Sequence, residues 1–201
     1  MGVTNVTKEE EESLFSDIDS ELVALSSEMK STKNVFNSKL KGRLSFLKWV
    51  NTNWRLRSNQ QPKVVKQKEI FFCQLGENIG SEQNGKRPVV IIQNDIGNSQ
   101  GNTTIIVPIT TYENSSFYEK DGKRYMSYQA ADGNIIERKL DFYEVELQIE
   151  SSSRYKIHGI ANVVHMREIS KKRLSNTPVA KVTEQTYTDI VNAIVKNISK
   201  I

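Results

Sequence analysis

Residues 69–98 read EIFFCQLGENIGSEQNGKRPVVIIQNDIGN, and the reading of this stretch decides the fold. Residues 69–75 (EIFFCQL) are aromatic and apolar and predict a strand, after which a Gly-rich loop runs to Gly85. Residues 88–93 (PVVIIQ) form a near-continuous apolar run, as expected of a strand buried on both faces, with Pro88 at its first position. Residues 103–110 (TTIIVPIT) supply the next strand.

Working outward, Asp121-Gly122 and Asp132-Gly133 lie between alternating segments and predict two tight hairpin turns. Further strands are expected within 140–149 and 156–166. A short basic helix should start after Ser170, since serine is a good N-cap. A last helix from Thr183 should bury Tyr187, Ile190, Val191, Ile194, Ile198 and Ile201. Short strands with one packed helix predict an α+β domain built as a small β-barrel.

Upstream, the pattern changes from strand to helix. Residues 9–28 carry acids and no Lys or Arg, whereas residues 29–68 carry many Lys and Arg and no acid. Leu14, Ile18, Leu22, Leu25 and Met29 mark one helical stripe; Phe36, Leu40, Leu44, Leu47, Val50 and Trp54 mark a second. Joined near residues 31–33, they predict a helical hairpin of opposite charges, its faces packing together. Alternatively, Lys39, Lys41, Arg43, Lys48, Arg55 and Arg57 extend an RNA-binding surface that the acidic helix masks as a mimic of nucleic acid. Residues 58–62 (SNQQP) break the pattern, which predicts a helical extension over 1–62 and a main domain over 63–201.

Bulk properties narrow the setting. At 37% hydrophobic residues, the 201-residue chain can bury one modest core. No run approaches the roughly 18–20 apolar residues of a membrane helix, and the opening MGVTNVTKEEEE lacks the basic-then-apolar order of a secretory signal. Cys73 is the sole cysteine, which excludes an internal disulfide; flanked by Ile70, Phe71 and Phe72 it reads as a buried strand residue. These features predict a cytoplasmic protein without a membrane partner. The net charge of +4 does not by itself identify a nucleic-acid binder.

Two histidines, His158 and His165, and one distant cysteine assemble no zinc site, and no Walker loop, GxGxxG or GxSxG is present. Carboxylates are scattered rather than paired. An enzyme here needs a reaction requiring neither metal nor carboxylate pair. RNA cleavage by the adjacent 2′-hydroxyl qualifies, because the nucleophile sits beside the phosphorus and proximity supplies much of the rate. The protein then has to hold the backbone in line and stabilise phosphoryl charge, a task suited to a guanidinium fork helped by a hydroxyl or backbone N–H.

The strand, the GSEQNG loop, the Arg87-Pro88 pair and the IQNDIGN turn closely resemble the opening of the MazF/PemK family of toxin endoribonucleases. The resemblance resumes at 105–110 (IIVPIT) and at 163–174 (VVHMREISKKRL). It implies a strongly curved, SH3-like β-barrel with a C-terminal helix. It also implies an mRNA interferase of a type II toxin–antitoxin system, cutting single-stranded RNA at short sequences without metal or cofactor and leaving 2′,3′-cyclic phosphate and 5′-hydroxyl ends. The positions matching the catalytic pair are Arg87 and Thr110; Gly80, Ser81, Glu82 and Gln83 would border the RNA groove, with Lys86, Thr111 and His165 as further substrate contacts. Asp95–Asn98 would shape a turn near a dimer contact. Partners implied are single-stranded RNA, a cognate antitoxin and a second copy of the chain.

Three departures from that pattern stand out. Residues 112–143 form an insertion whose Phe117, Tyr118, Tyr125 and Tyr128 could stack on bases or pack the hairpins onto the barrel. His165, expected in a strand, replaces a polar residue of the family near the groove, and the helical extension has no counterpart there. The same barrel also hosts gyrase poisons of the CcdB type, which depend on a C-terminal Trp-Gly-Ile, whereas this chain ends ISKI. A catalytically idle RNA-binding protein on the same fold is the other alternative.

Overall fold

A computed structural model describes residues 7–30, 37–62, 64–112, 114–153 and 155–199. The chain divides into two compact units, residues 1–50 and 51–201. The second is built on three successive antiparallel strands, β1 (Glu69–Gly76), β2 (Gly85–Ile91) and β3 (Thr103–Thr111). They belong to a curled half-barrel sheet ordered β10-β1-β2-β3-β8-β7, where β7 is Glu144–Glu146, β8 Gly159–Asn162 and β10 Ala180–Lys181; β9 (Arg167–Ser170) also pairs with β3.

Strand alternation sends side chains to two faces, and both are covered. Ile70, Val90, Val107, Ile109 and Ala161 meet Ile190 and Ala193 of the C-terminal helix α4 (Glu184–Ile198). That helix starts where expected: Thr183 caps it by accepting from the Thr186 N–H. Its buried residues include Thr186, Ile190 and Ala193, while Ile198 is exposed and Ile201 lies outside the described residues. On the opposite face Phe71, Cys73, Leu75, Val89, Ile91 and Ile106 close around Ile169, Leu174 and Val65. Cys73 is fully buried there, and burial pushes its thiol up to about 12.

Several local expectations are corrected. Pro88 lies inside β2 rather than at its start; it pairs with Phe72 on one side, and pairing with β3 begins only at Val89. A residue without an N–H is tolerated where the ladder lacks a partner. Of 140–149 only Glu144–Glu146 is strand, because Asp141 and Glu144 close a turn through the Glu144 N–H and the Asp141 carbonyl at 3.0 Å. Of 156–166 only Gly159–Asn162 is strand; Asn162 then caps a 3₁₀ turn at Val163–His165, so His165 is not a strand residue. The basic helix after Ser170 is a single 3₁₀ turn, Lys171–Arg173, with Ser170 capping it. The Asp95–Asn98 turn is the start of a short helix, α3 (Asp95–Gln100), capped by Asn94.

The 112–143 insertion forms a separate antiparallel sheet of β4 (Ser116–Lys120), β5 (Lys123–Gln129) and β6 (Ile135–Lys139). Both expected hairpin turns are present. The first is a two-residue turn with Asp121 at φ 53° and Gly122 at φ 65°, the left-handed pair that a tight hairpin requires. Met126 and Leu140 pack on Ile160 of β8, with Tyr112, Phe117 and Tyr128 around them. Tyr118 and Tyr125 pair across β4 and β5 on the other side of the small sheet, their rings stacked 5.8 Å apart. Register therefore splits the four aromatics into two packing residues and two outward ones. Arg138 on β6 ties the small sheet to Glu144 with two hydrogen bonds, of 2.6 and 2.8 Å.

In the first unit, α1 spans Lys8–Lys30, and α2 spans Asn37–Arg57 across the division between units. Thr7 and Glu10 cap α1 reciprocally. The expected burial of the apolar stripes against each other is only partial among the described residues: α1 has no fully buried residue, Leu25 and Met29 are half-buried, and Leu14, Ile18, Leu22, Leu44 and Trp54 are exposed. The junction near 31–33 lies outside the described residues.

Candidate functional site

A gap in the ladder creates the site. Along one edge β3 pairs with β9 from Thr103 to Ile106 and with β8 from Ile109 to Thr111. Pro108, which has no N–H to donate, sits between these stretches. The chain between β8 and β9 leaves the sheet there as the Val163–His165 turn. The resulting pocket of about 270 Å³ is lined by Pro108, Val164, His165, Met166 and Arg167, with Glu82 and Gln83 from the loop after β1.

A β-bulge positions the charged wall. Between Gln74 and Gly76 the β1–β2 register shifts, leaving Leu75 without an opposite residue. Its carbonyl accepts from Arg167 Nη2 at 2.7 Å and from Arg173 Nη1 at 3.2 Å. Arg167 Nε is buried with no partner among the described residues.

Arg87 and Thr110 come together by register. Val90 faces Val107 and Val89 faces Pro108, where the pairing ends; continued two residues past that end, the same register would set Arg87 opposite Thr110. Both lie on the face shared with Cys73 and Val89. Arg87 Nε donates to the Asn84 carbonyl at 2.9 Å, and its Nη groups make no hydrogen bond among the described residues. Gln83 Nε2 donates to Thr110 Oγ1 at 3.3 Å, so the loop is stitched to the strand that carries the hydroxyl. Asn78 holds the loop's shape by donating twice, from its side-chain amide to the Gln83 carbonyl at 2.7 Å and from its backbone N–H to Asn84 Oδ1 at 2.8 Å. Gln83 Oε1 is buried with no hydrogen-bond partner among the described residues.

His165 feels this positive surrounding. Burial first, then Arg167 and Arg87, push its pKa below the ordinary value, with Glu82 opposing. The imidazole is therefore neutral near pH 7, able to accept a proton or a hydrogen bond. A small pocket lined by a neutral imidazole and the Arg167 guanidinium, with the Thr110 hydroxyl tied to its lining residue Gln83, suits a phosphodiester and an adjacent base.

Not every anticipated residue converges. Gly80 and Ser81 are exposed on the loop, beside Glu82 and Gln83. Lys86 and Thr111 fall on the opposite face from Arg87 and Thr110, because neighbouring strand residues alternate; the Lys86 ammonium lies 5.4 Å from the Phe72 ring. Sequence reasoning missed Asn78, Asn84 and Pro108. The paired asparagines bounding a Gly-rich loop and the proline inside 103–110 were the available signals. Among the described residues no group of three or more His, Cys, Asp or Glu could hold a metal ion. Nor, among them, is any helix long and apolar enough to cross a membrane.

A larger cavity, about 400 Å³, lies between residues 61–66 and α3. Its polar groups are already engaged: Lys171 Nζ binds the Asn98 and Gly101 carbonyls that end α3, and Asp95 accepts from the Gln67 N–H at 2.7 Å. This is helix capping.

The pattern of the PemK-like, MazF-like toxins of type II toxin–antitoxin systems matches residues 66–198. Endoribonuclease EndoA of Bacillus subtilis (strain 168) is 42% identical over 66 residues, covering 31% of this chain and 57% of EndoA. The aligned part thus spans little more than half of that relative. Among solved structures, MazF (Form-I) from Deinococcus radiodurans has a TM-score of 0.47 at 13% identity, covering 67% of this chain and 96% of its own. An endoribonuclease in complex with its cognate antitoxin, from a mycobacterial species, has a TM-score of 0.43 at 16% identity, covering 69% and 100%. With the family pattern running through the half-barrel, the ladder gap and the C-terminal helix, the chain belongs to the PemK-like, MazF-like toxins of type II toxin–antitoxin systems.

Proposed function

We propose that this protein is a toxin endoribonuclease that cuts single-stranded RNA at a short recognised sequence, without a metal ion. The observation carrying this reading is the convergence of Arg87 and Thr110 on one face, beside the pocket of His165 and Arg167. In the reaction the 2′-oxygen forms a bond to phosphorus as the bond to the 5′-oxygen breaks. The 2′-hydroxyl loses its proton, the departing 5′-oxygen gains one, and the products are a 2′,3′-cyclic phosphate and a 5′-hydroxyl.

Arg87 neutralises charge on the non-bridging oxygens, for which a guanidinium fork is well matched. Thr110, held by Gln83, adds a hydroxyl donor beside it. The neutral imidazole of His165 serves as proton acceptor or as a hydrogen-bonding partner for the neighbouring base. Gly80–Gln83 borders the strand of RNA. Contacts from Lys86 and Thr111 require the RNA to pass round the edge of the sheet.

An antitoxin covering this positive pocket, a homodimeric toxin and a cytoplasmic location complete the reading. The same reading takes 1–62 as an appended extension to a nuclease domain over 63–201. Incubation of the purified chain with single-stranded RNA in EDTA, followed by sequencing of 5′-hydroxyl ends, tests it. Cuts at one short motif are expected. Intact RNA, with the protein folded and free of antitoxin, would overturn the assignment.

A further inference from the structure

The helices of the extension carry coiled-coil seams that are open over much of their length. In α1, Phe15, Ile18, Leu22, Leu25 and Met29 recur at alternating three- and four-residue steps, the spacing of a heptad seam. Phe15, Ile18 and Leu22 are 59%, 52% and 58% exposed, whereas Leu25 and Met29, toward the end adjoining residues 31–36, are half-buried. In α2, Leu44, Leu47 and Trp54 follow the same repeat with Asn51 between them, and they too are exposed. The half-buried side of α2 is a different one, running through Ser45, Trp49, Thr52 and Leu56.

The positions flanking each seam carry opposite signs. Beside the α1 seam stand Glu12, Asp19, Glu21 and Glu28; beside that of α2 stand Lys41, Arg43, Lys48, Arg55 and Arg57. Across Lys8–Lys30, eight acids against two lysines give −6; across Asn37–Arg57, six bases and no acid give +6. Flanking charges choose partners in coiled coils, so like pairs are disfavoured and an α1–α2 pair is favoured.

One hairpin does not satisfy these helices. Arg43 donates to the Met29 carbonyl at the end of the helices adjoining residues 31–36, while Leu14 and Val23 of α1 and Phe46 and Val50 of α2 add exposed apolar surface off the seams. A helix as long as α1 with no buried residue gains little stability alone. We propose that a second copy of this chain covers the seams, α1 of each copy docking on α2 of the other in a two-fold four-helix bundle. The occupant is a second copy because one chain carries both complementary surfaces, and their charges cancel completely. The proposal stands independently of the nuclease reading.

The test mixes full-length copies with light and heavy nitrogen, allows exchange, and joins contacting carboxylates and lysines with a zero-length carbodiimide. Links from Glu12, Asp19, Glu21 or Glu28 to Lys41 or Lys48 should carry mixed labels in roughly half of cases, the statistical share for a two-fold pair. In a chain with both Ile18→Glu and Leu22→Glu, these mixed links should fall several-fold while single-label links within residues 63–201 persist. Both side chains are exposed, so the rest of the fold should survive, as far-ultraviolet circular dichroism would show. Links of α1 to α2 confined to single-label pairs, or their complete absence, would overturn the proposal.

Discussion

Gly159 of β8 presses so closely on Thr110 of β3 that a β-carbon there would stand 2.1 Å from the Thr110 carbonyl oxygen. No side chain fits at that distance, so the backbone itself would have to move. The strand that would move carries the hydroxyl of the proposed site. Gly159→Ala should therefore lower folding stability by about 1–3 kcal/mol, the usual cost of overpacking, and reduce RNA cleavage as well. Urea denaturation read beside a cleavage assay checks this; an unchanged midpoint would show that β3 and β8 separate more easily than their packing implies.

Arg87→Ala should lose on the order of 10²–10³ in cleavage rate, as expected for deletion of a transition-state donor. Arg87 is half-buried near the start of β2 and its one hydrogen bond among the described residues runs to a loop carbonyl, so the stability change should be small. Arg87→Lys should recover little, because an ammonium cannot present two parallel donors to a phosphate. Full activity in either variant would remove the guanidinium from the mechanism.

The Gln83–Thr110 hydrogen bond gives a finer test. Thr110→Val keeps shape and loses the hydroxyl, and kcat should fall on the order of 10², whereas Thr110→Ser should retain most activity. Gln83→Glu replaces the amide donor with an acceptor, drawing the Thr110 hydroxyl toward itself and away from the phosphate. In that variant kcat should drop more than KM rises, the mark of a positioning residue. A change in KM alone would place Gln83 in ground-state binding only.

For His165, burial and the two nearby arginines hold the pKa below the ordinary value in the folded state. The unfolded chain, titrating near about 6.5, then binds the proton first. Stability is therefore full above that pH and declines as pH falls through it toward the lower folded value. His165→Gln should flatten this part of the stability profile. Denaturation midpoints for both proteins on either side of neutrality decide the matter, and parallel profiles would count against the assigned environment.

Cys73 should resist thiol reagents in the folded protein, since it is buried and its thiol is pushed up to about 12. Ellman's reagent should react with it only after denaturation. Rapid reaction in native buffer would mean that the core around Phe71 and Leu174 opens readily.

The strands through 69–75, 88–93 and 103–110, the caps at Ser170 and Thr183, and the Asp121-Gly122 turn were legible in the sequence. Alternation, capping and turn chemistry act between residues near in the chain, so local pattern suffices. The short strands β9 and β10 were not legible, because a few residues become strand only through partners far away, such as Thr103 for Ser170 and Ile70 for Ala180. The outward placing of Tyr118 and Tyr125 likewise follows from register rather than composition. Residues 69–111 by themselves pointed to the fold type and the family, and marked Arg87 and Thr110 as the candidates for the proposed site. Only the tertiary structure decided that these two share a face while Lys86 and Thr111 turn away, and that Pro108 opens the pocket beside His165. The physical reason is the pairing of strands: one residue of register inverts every side chain, and no local pattern records which distant strand supplies the partner.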